Sequence, residues 1–214
     1  MATFLGSLVV SGLFIYRNNS NDKFIALFLL ALSSMQLAEY FIWNNINNKE
    51  KNKFFTRIAN IIIILQPIAV LFGLYNSGNL IISNSVLFYP LIISLFYTLY
   101  LWSDLFNSPY KLSVVSKVNK HLSWGQKDIF PDIKALIFNI FYSSIIIFSP
   151  LLLKPRYVGY IITLLVIITL LLSYIKSRKE IDIIHKSSWK SLWCFIAPFM
   201  FLLYYLLTGY LNLK

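Results

Sequence analysis

One acidic residue lies inside a long apolar stretch of the chain and is the strongest candidate for a chemical role. Glu39 belongs to the segment SMQLAEYFIW at 34–43, the second half of an apolar run that begins at residue 23. A carboxylate in hydrocarbon costs about 2.5–3.5 kcal/mol on insertion scales, so such a residue is by default functional and has a partner. On a helix, Gln36 and Trp43 share its face. The spacing predicts a polar centre for an ion, a proton or a small solute.

Two amides in the next apolar run are candidate partners of Glu39. Asn60 and Gln66 lie in the run 54–75, which returns antiparallel to the run of Glu39. We expect Asn60 at the depth of Glu39 and Gln66 about two turns deeper, and either amide is able to hydrogen-bond a buried carboxyl. Two alternatives stay open. Glu39 is a neutral structural acid bonded to Gln66 or a backbone carbonyl, or it is an interfacial carboxylate that reaches the headgroups.

The composition predicts that these residues are positioned by membrane-spanning helices. The 214 residues are 58% hydrophobic and 13% charged, against about 45–50% and about 25% in soluble domains. A bilayer crossing needs about 20 apolar residues. The apolar runs are 3–16, 23–43, 54–75, 80–102, 134–153, 157–175 and 189–211, of which the first is short. We predict an all-α polytopic transmembrane bundle of seven helices, with residues 1–214 forming a single transmembrane domain.

The basic residues predict the orientation of this bundle. If the seven runs span, fourteen lysines and arginines fall on the side of the N-terminus and five on the other side. The positive-inside rule then places the N-terminus in the cytoplasm and the C-terminus outside. The fourteen are Lys49, Lys51, Lys53, Arg57, Lys111, Lys117, Lys120, Lys127, Lys134, Lys176, Arg178, Lys179, Lys186 and Lys190. Because these charges sit between apolar runs, the net charge of +11 predicts contact with lipid, with anionic lipid on the cytoplasmic face as an option, and no nucleic-acid partner.

The longest polar connection, 103–133, is predicted to be a cytoplasmic loop. Its segments 111–115 and 120–124 are able to pair as a short hairpin. Asp104, His121 and Trp124 are its most chemically capable residues, although a solvated loop histidine is the commoner interpretation of His121. All five tryptophans lie on this side of the predicted bundle. We expect Trp43, Trp102 and Trp193 to form, with the loop, a vestibule leading to Glu39.

Several classes of protein are disfavoured by what the sequence lacks. A retinal protein needs a lysine in mid-helix, whereas Lys190 lies at the start of the last run. Two histidines in separate loops make a poor zinc set, and no GxSxG, HExxH, P-loop or CxxC motif occurs. No cofactor and no metal site are predicted, and the lone Cys194 excludes an intrachain disulfide.

Four short motifs are shared with a known group of proteins. They are MQLAEYFIWNN around Glu39, LQP at 65–67, HLSWG at 121–125 and SLWCF at 191–195. In these the chain resembles an uncharacterised family of multi-span membrane proteins from large DNA viruses and some protists. The resemblance implies no activity.

Three functions remain as alternatives. The leading one is a small transporter or channel for a cation, a proton or a small solute, centred on Glu39, Gln36, Asn60 and Gln66. The second is a receptor or assembly module that docks lipid or protein through its tryptophan-rich basic face. The third is an intramembrane enzyme that uses Glu39 and His121 as acid and base. Enzyme activity is the less favoured alternative, and a homo-oligomer stays open.

Overall fold

Seven α-helices make up almost all of the structure, a computed structural model that describes residues 1–107, 112–116, 120–124, 132–177 and 188–210. The side chains of residues 102–107, 132–135, 188–189 and 210 lie outside this description. The helices are α1 (Ala2–Arg17), α2 (Asp22–Asn44), α3 (Lys49–Ser77), α4 (Asn84–Asn107), α5 (Asp132–Phe148), α6 (Arg156–Ser177) and α7 (Ser188–Tyr210). A 3₁₀ turn, Ser149–Leu152, follows α5, and two short strands, β1 (Val114–Val115) and β2 (Leu122–Ser123), lie between α4 and α5.

Five of these helices, α2, α3, α4, α6 and α7, are long and apolar enough to cross a membrane. The apolar helices α1 and α5 are shorter. The outward faces of α4 and α6 carry exposed side chains such as Phe96 and Leu164, and contiguous apolar surface of this kind is rare on soluble monomers. The length and composition of the helices are those of a multi-pass membrane protein. The prediction of an all-α protein with seven helices is confirmed, while the predictions that all seven span a membrane and of their orientation stay predictions.

Four predicted helix boundaries differ from the structure by four residues or more. The fourth helix ends at Asn107 rather than at residue 102, so the predicted loop 103–133 begins inside it. The fourth helix begins at Asn84 rather than at residue 80, because Leu80 pairs with Leu153 in an isolated antiparallel bridge. The fifth ends at Phe148 rather than at residue 153, since Pro150 sits in a 3₁₀ turn. The third begins five residues early, at Lys49, where the Asn48 side chain caps it by accepting from the backbone N–H of Lys51.

The second helix is the centre of the bundle. It packs against α1, α3 and α7, and its Phe24, Phe28, Leu32 and Met35 side chains are fully buried. A helix buried on several sides holds its polar side chains away from both lipid and water. Glu39 is one of these side chains, at 4% exposure.

The predicted hairpin is confirmed. Strands β1 and β2 pair antiparallel, with Val114 opposite Ser123 and Val115 opposite Leu122, and the Ser116 N–H donates to the His121 carbonyl. We call residues 112–116 and 120–124 the hairpin. It lies at the end of the bundle where α2 ends and α3 begins, and we call this end the hairpin end. The hairpin is packed into the protein: Leu122 and Ser116 are fully buried and Trp124 is 4% exposed.

The opposite end is held by a charged pair and by side-chain amides that donate to a backbone carbonyl of another turn. The Arg17 guanidinium makes two hydrogen bonds to the Asp22 carboxylate, at 2.9 and 2.7 Å, and a third, at 2.8 Å, to the Thr208 hydroxyl of α7. The side-chain amides of Asn21 and Asn79 both donate to the carbonyl of Lys154. These contacts tie the α1–α2 turn to α7 and to the connection between α5 and α6.

Candidate functional site

The Glu39 carboxyl is buried where α2, α7 and the hairpin meet. Gln36 Nε2 donates to one carboxyl oxygen and Trp124 Nε1 to the other, each at 3.0 Å. The Ser191 hydroxyl of α7 lies near this carboxyl; it is fully buried and makes no hydrogen bond of ordinary geometry in the described structure. Both hydrogen bonds to the carboxyl come from neutral N–H groups. We call Glu39, Gln36, Trp124 and Ser191 the carboxyl site.

The bond between Gln36 and Glu39 agrees with the helical spacing of the two residues, whereas the amides of α3 have other partners. Gln66 Nε2 donates to the Ala31 carbonyl at 2.7 Å, and its Oε1 accepts from the Tyr142 hydroxyl at 2.6 Å. Asn60 Nδ2 donates to the Thr56 carbonyl on its own helix at 2.9 Å. The hypothesis that Gln66 is the partner of Glu39 is therefore wrong, because its two ends are occupied by α2 and α5.

Cys194 is a buried cysteine of α7. It follows Ser191 by three residues, so the two share a helix face. Elsewhere in the interior, the half-buried Tyr142 of α5 is hydrogen-bonded to the buried Gln66 of α3. We call Glu39, Cys194, Tyr142 and Gln66 the polar row; its members come from α2, α7, α5 and α3.

The hairpin is fixed to α3 by residues that the sequence reasoning missed. The Asn52 side chain pairs with both backbone groups of Ser113: its Oδ1 accepts from the Ser113 N–H at 2.9 Å and its Nδ2 donates to the Ser113 carbonyl at 3.1 Å. The Thr56 hydroxyl lies 2.7 Å from the Ser113 hydroxyl. Asn52 and Thr56 are fully buried. Asn52 lies before residue 54, where the sequence predicts the third helix to start, so the prediction leaves it outside a helix. The helix cap at Asn48, four residues earlier, was the available signal.

The tryptophans do not all face one vestibule. Trp43 is 39% exposed, while Trp193 is 3% exposed and donates through Nε1 to the Thr169 hydroxyl of α6 at 3.0 Å. Trp193 therefore joins two helices inside the bundle and does not line an opening with Trp43. The side chains of Trp102 and Asp104 lie outside the described residues, so their predicted roles stay predictions.

His121 lies on the hairpin with its ring 5.6 Å from that of Phe195 on α7, centroid to centroid. Burial lowers the pKa of His121 below the ordinary histidine value, and the charge of Lys176 lowers it further. The described hydrogen bonds of the Glu39 carboxyl come from Gln36 and Trp124. The predicted acid–base pairing of Glu39 with His121 stays a prediction.

A groove with a volume of about 440 Å³ opens at the hairpin end, where α2 turns into α3. It is lined by Asn45, Glu50, Lys51, Phe54 and Phe55. Phe54 is 57% exposed, and Phe55 stacks on Phe41 with ring centroids 5.0 Å apart. The groove combines an aromatic wall with one charge of each sign.

Comparisons with known proteins return no counterpart: no family model, no curated protein and no solved structure matches the chain.

Proposed function

We propose that the protein conducts protons across a membrane, with the Glu39 carboxyl as the group that takes up and releases them. The observation that carries the proposal is the donor set of this carboxyl. Each oxygen accepts one hydrogen bond from a neutral N–H group, and a buried hydroxyl that makes no hydrogen bond of ordinary geometry in the described structure lies near it. An ionisable residue buried in a membrane bundle marks an ion or proton pathway by default.

The same donor set favours a proton over a metal cation. Sodium, potassium and calcium ions are bound by several oxygen ligands, whereas the groups closest to Glu39 present N–H hydrogens, which repel a cation. A proton needs only one carboxyl oxygen and one acceptor. The hydroxyl of Ser191 supplies that acceptor, because a hydroxyl both accepts and donates.

The polar row supports movement of the proton beyond Glu39. Tyr142 and Gln66 are already joined by a 2.6 Å hydrogen bond, and Gln66 reaches the Ala31 carbonyl in the interior of the bundle. Hydroxyl groups pass protons by accepting on one lone pair and donating their own hydrogen. Cys194 is buried on the same helix as Ser191, and its thiol is a weak donor and acceptor.

Proton flux into liposomes tests the proposal. The purified protein is reconstituted with a trapped pH-sensitive dye, and a potassium diffusion potential set by valinomycin drives protons inward. We expect acidification several-fold faster than in protein-free liposomes, and at least ten-fold slower flux for Glu39→Gln. Glu50→Gln is the matched control, because the side chain of Glu50 is 88% exposed and lies outside the carboxyl site. Wild-type flux no faster than that of empty liposomes, or undiminished flux in Glu39→Gln, overturns the proposal.

A second function, docking of anionic lipid, is favoured by the groove at the hairpin end. Its aromatic wall suits an acyl chain and Lys51 suits a phosphate. Docking predicts that Phe54→Ala and Lys51→Gln together weaken binding of the protein to an anionic phospholipid and leave proton flux unchanged. Equal lipid binding by the double variant and the wild type removes this alternative.

A further inference from the structure

We infer that the hairpin closes the route between the hairpin end and Glu39, and that Asn52 is the residue that holds it closed. The connection to proton movement rests on the proposed function, whereas the closure itself does not. Three observations support the inference. The Trp124 indole donates to the Glu39 carboxyl, the Asn52 amide bonds the backbone of Ser113, and the hairpin that carries Trp124 and Ser113 is buried.

The hairpin contains a larger share of buried polar side chains than the apolar core does. Such a composition suits a segment that moves into and out of the bundle. It buries three serines, Ser113, Ser116 and Ser123, beside Leu122 and Trp124. Its strands are two residues long and, among the described residues, pair with each other. A two-stranded hairpin is marginally stable by itself, so its position depends on side chains of the helices.

Asn52 supplies the strongest of these fixing contacts. Its amide bonds both the N–H and the carbonyl of Ser113, as a neighbouring strand would do. It is fully buried and sits one turn before Thr56, whose hydroxyl faces the hydroxyl of Ser113. Removing the amide leaves two backbone groups of the hairpin without partners in a buried place, which is unfavourable. That cost shifts the hairpin toward an open state.

Trp124 connects this closure to the carboxyl. It directly follows strand β2, and its N–H is one of the two donors to Glu39. When the hairpin leaves, the carboxyl loses that donor and gains access to water in the same movement. A proton arriving on the carboxyl oxygen of the Trp124 bond makes that oxygen a weaker acceptor for the indole, so protonation and opening favour each other.

Thiol labelling next to Glu39 tests the closure without any transport measurement. Ser191→Cys in a Cys194→Ser background places a single thiol at the carboxyl site, and the protein is held in lipid nanodiscs. A membrane-impermeant cationic methanethiosulfonate is added, and the labelled fraction is followed by intact-protein mass spectrometry. We expect slow labelling in this parent and at least ten-fold faster labelling after Asn52→Ala. Asn76→Ala is the matched control, because Asn76 lies on the same helix at the opposite end, exposed, and bonds only the Phe72 carbonyl in the described structure.

The possible outcomes separate closure from general loss of structure. A labelling rate for Asn52→Ala equal to that of the parent or of Asn76→Ala overturns the inference, as does a parent that labels as fast as an exposed thiol. Trp124→Phe, which keeps a ring of similar shape, is the second variant and is expected to accelerate labelling several-fold. If labelling depends on Asn52 but proton flux does not depend on Glu39, the closure stands and the proposed function falls. If flux depends on Glu39 and labelling is insensitive to Asn52, the reverse holds.

Discussion

The indole nitrogen of Trp124 donates a 3.0 Å hydrogen bond to the carboxyl of Glu39, a residue 85 positions earlier in the chain. This bond joins a loop residue to the most buried helix of the bundle. The bond connects the hairpin to α2, two elements that the apolar periodicity of the sequence does not connect. The stability of the hairpin end depends on this bond.

Trp124→Phe is expected to destabilise the protein by about 0.5–2 kcal/mol, because the Glu39 carboxyl loses a donor where water does not replace it. Denaturant titration in detergent micelles measures the loss. Trp43→Phe is the control: its side chain is 39% exposed, and we expect a change within about 0.5 kcal/mol. Equal effects of the two substitutions contradict the prediction.

The hydroxyl pair Thr56–Ser113 is expected to show a coupling free energy of about 0.5–1.5 kcal/mol in a double-mutant cycle of Thr56→Val and Ser113→Ala. The two oxygens lie 2.7 Å apart in a buried place, so either single substitution leaves the other hydroxyl without this partner. Replacing Ser113→Ala by Ser144→Ala, an exposed serine on α5, provides the reference cycle, in which the effects should add. Additive effects in both cycles would show that the pair is not coupled.

Arg17→Lys is expected to lower the unfolding free energy by about 1–3 kcal/mol, because an ammonium does not reproduce the two-pronged bond to Asp22. The lysine also loses the contact of the guanidinium with the Thr208 hydroxyl and with the ring of Tyr205, at 4.8 Å. Thermal unfolding measures the effect. Arg156→Lys, at an exposed arginine, should change the midpoint very little, and a similar loss there would refute the assignment.

His121 is expected to make the hairpin end less stable as the pH falls. Its pKa in the folded protein is lowered by burial, so between that value and the unfolded value of about 6.5 the unfolded chain binds the proton more readily. The contribution is fully present above about pH 7 and declines as the pH falls through this window. Thermal unfolding between pH 5 and 8 should give a shallower pH dependence for His121→Gln than for the wild type. Parallel curves would contradict the prediction, since all other titrating groups are common to both proteins.

Gly159→Ala is expected to be strongly destabilising, by more than about 2 kcal/mol, because the added methyl would lie 2.3 Å from the Pro150 carbonyl oxygen. This glycine lets α6 approach the 3₁₀ turn after α5. Gly12→Ala is the matched control, since nothing lies within 4 Å of a methyl group there. In the interior of α1 the change should stabilise by about 0.5–1 kcal/mol. Thermal unfolding measures the midpoints of both variants, and a midpoint of Gly159→Ala as high as that of Gly12→Ala contradicts the prediction.

The helices and the Gln36–Glu39 pair were predictable because both depend on neighbours in sequence. Apolar runs specify helices, and a spacing of three places Gln36 beside Glu39 whatever the tertiary fold. The hairpin was predictable for the same reason, since β1 and β2 are separated by only six residues.

The partners of Glu39 outside its own helix were not predictable in this way. Trp124 and Ser191 reach the carboxyl only through the packing of the hairpin and α7 around α2. Gln66 was a reasonable candidate by depth, but an amide in the bundle interior bonds whichever carbonyl and hydroxyl the packing brings to it, here Ala31 and Tyr142. The start of α4 was misplaced because Leu80 is apolar, and periodicity alone does not separate a buried bridge residue from a helix start.

The charged pair at the opposite end has a consequence for biosynthesis. Arg17 and Asp22 are five residues apart, so the ribosome delivers both almost together, and their charges neutralise each other as soon as the first two helices meet. Thr208, which completes the environment of the arginine, is translated 191 residues after it. Helices α1 and α2 are therefore able to form the ion pair before α7 has been synthesised, and α7 then docks against a guanidinium that Asp22 already holds.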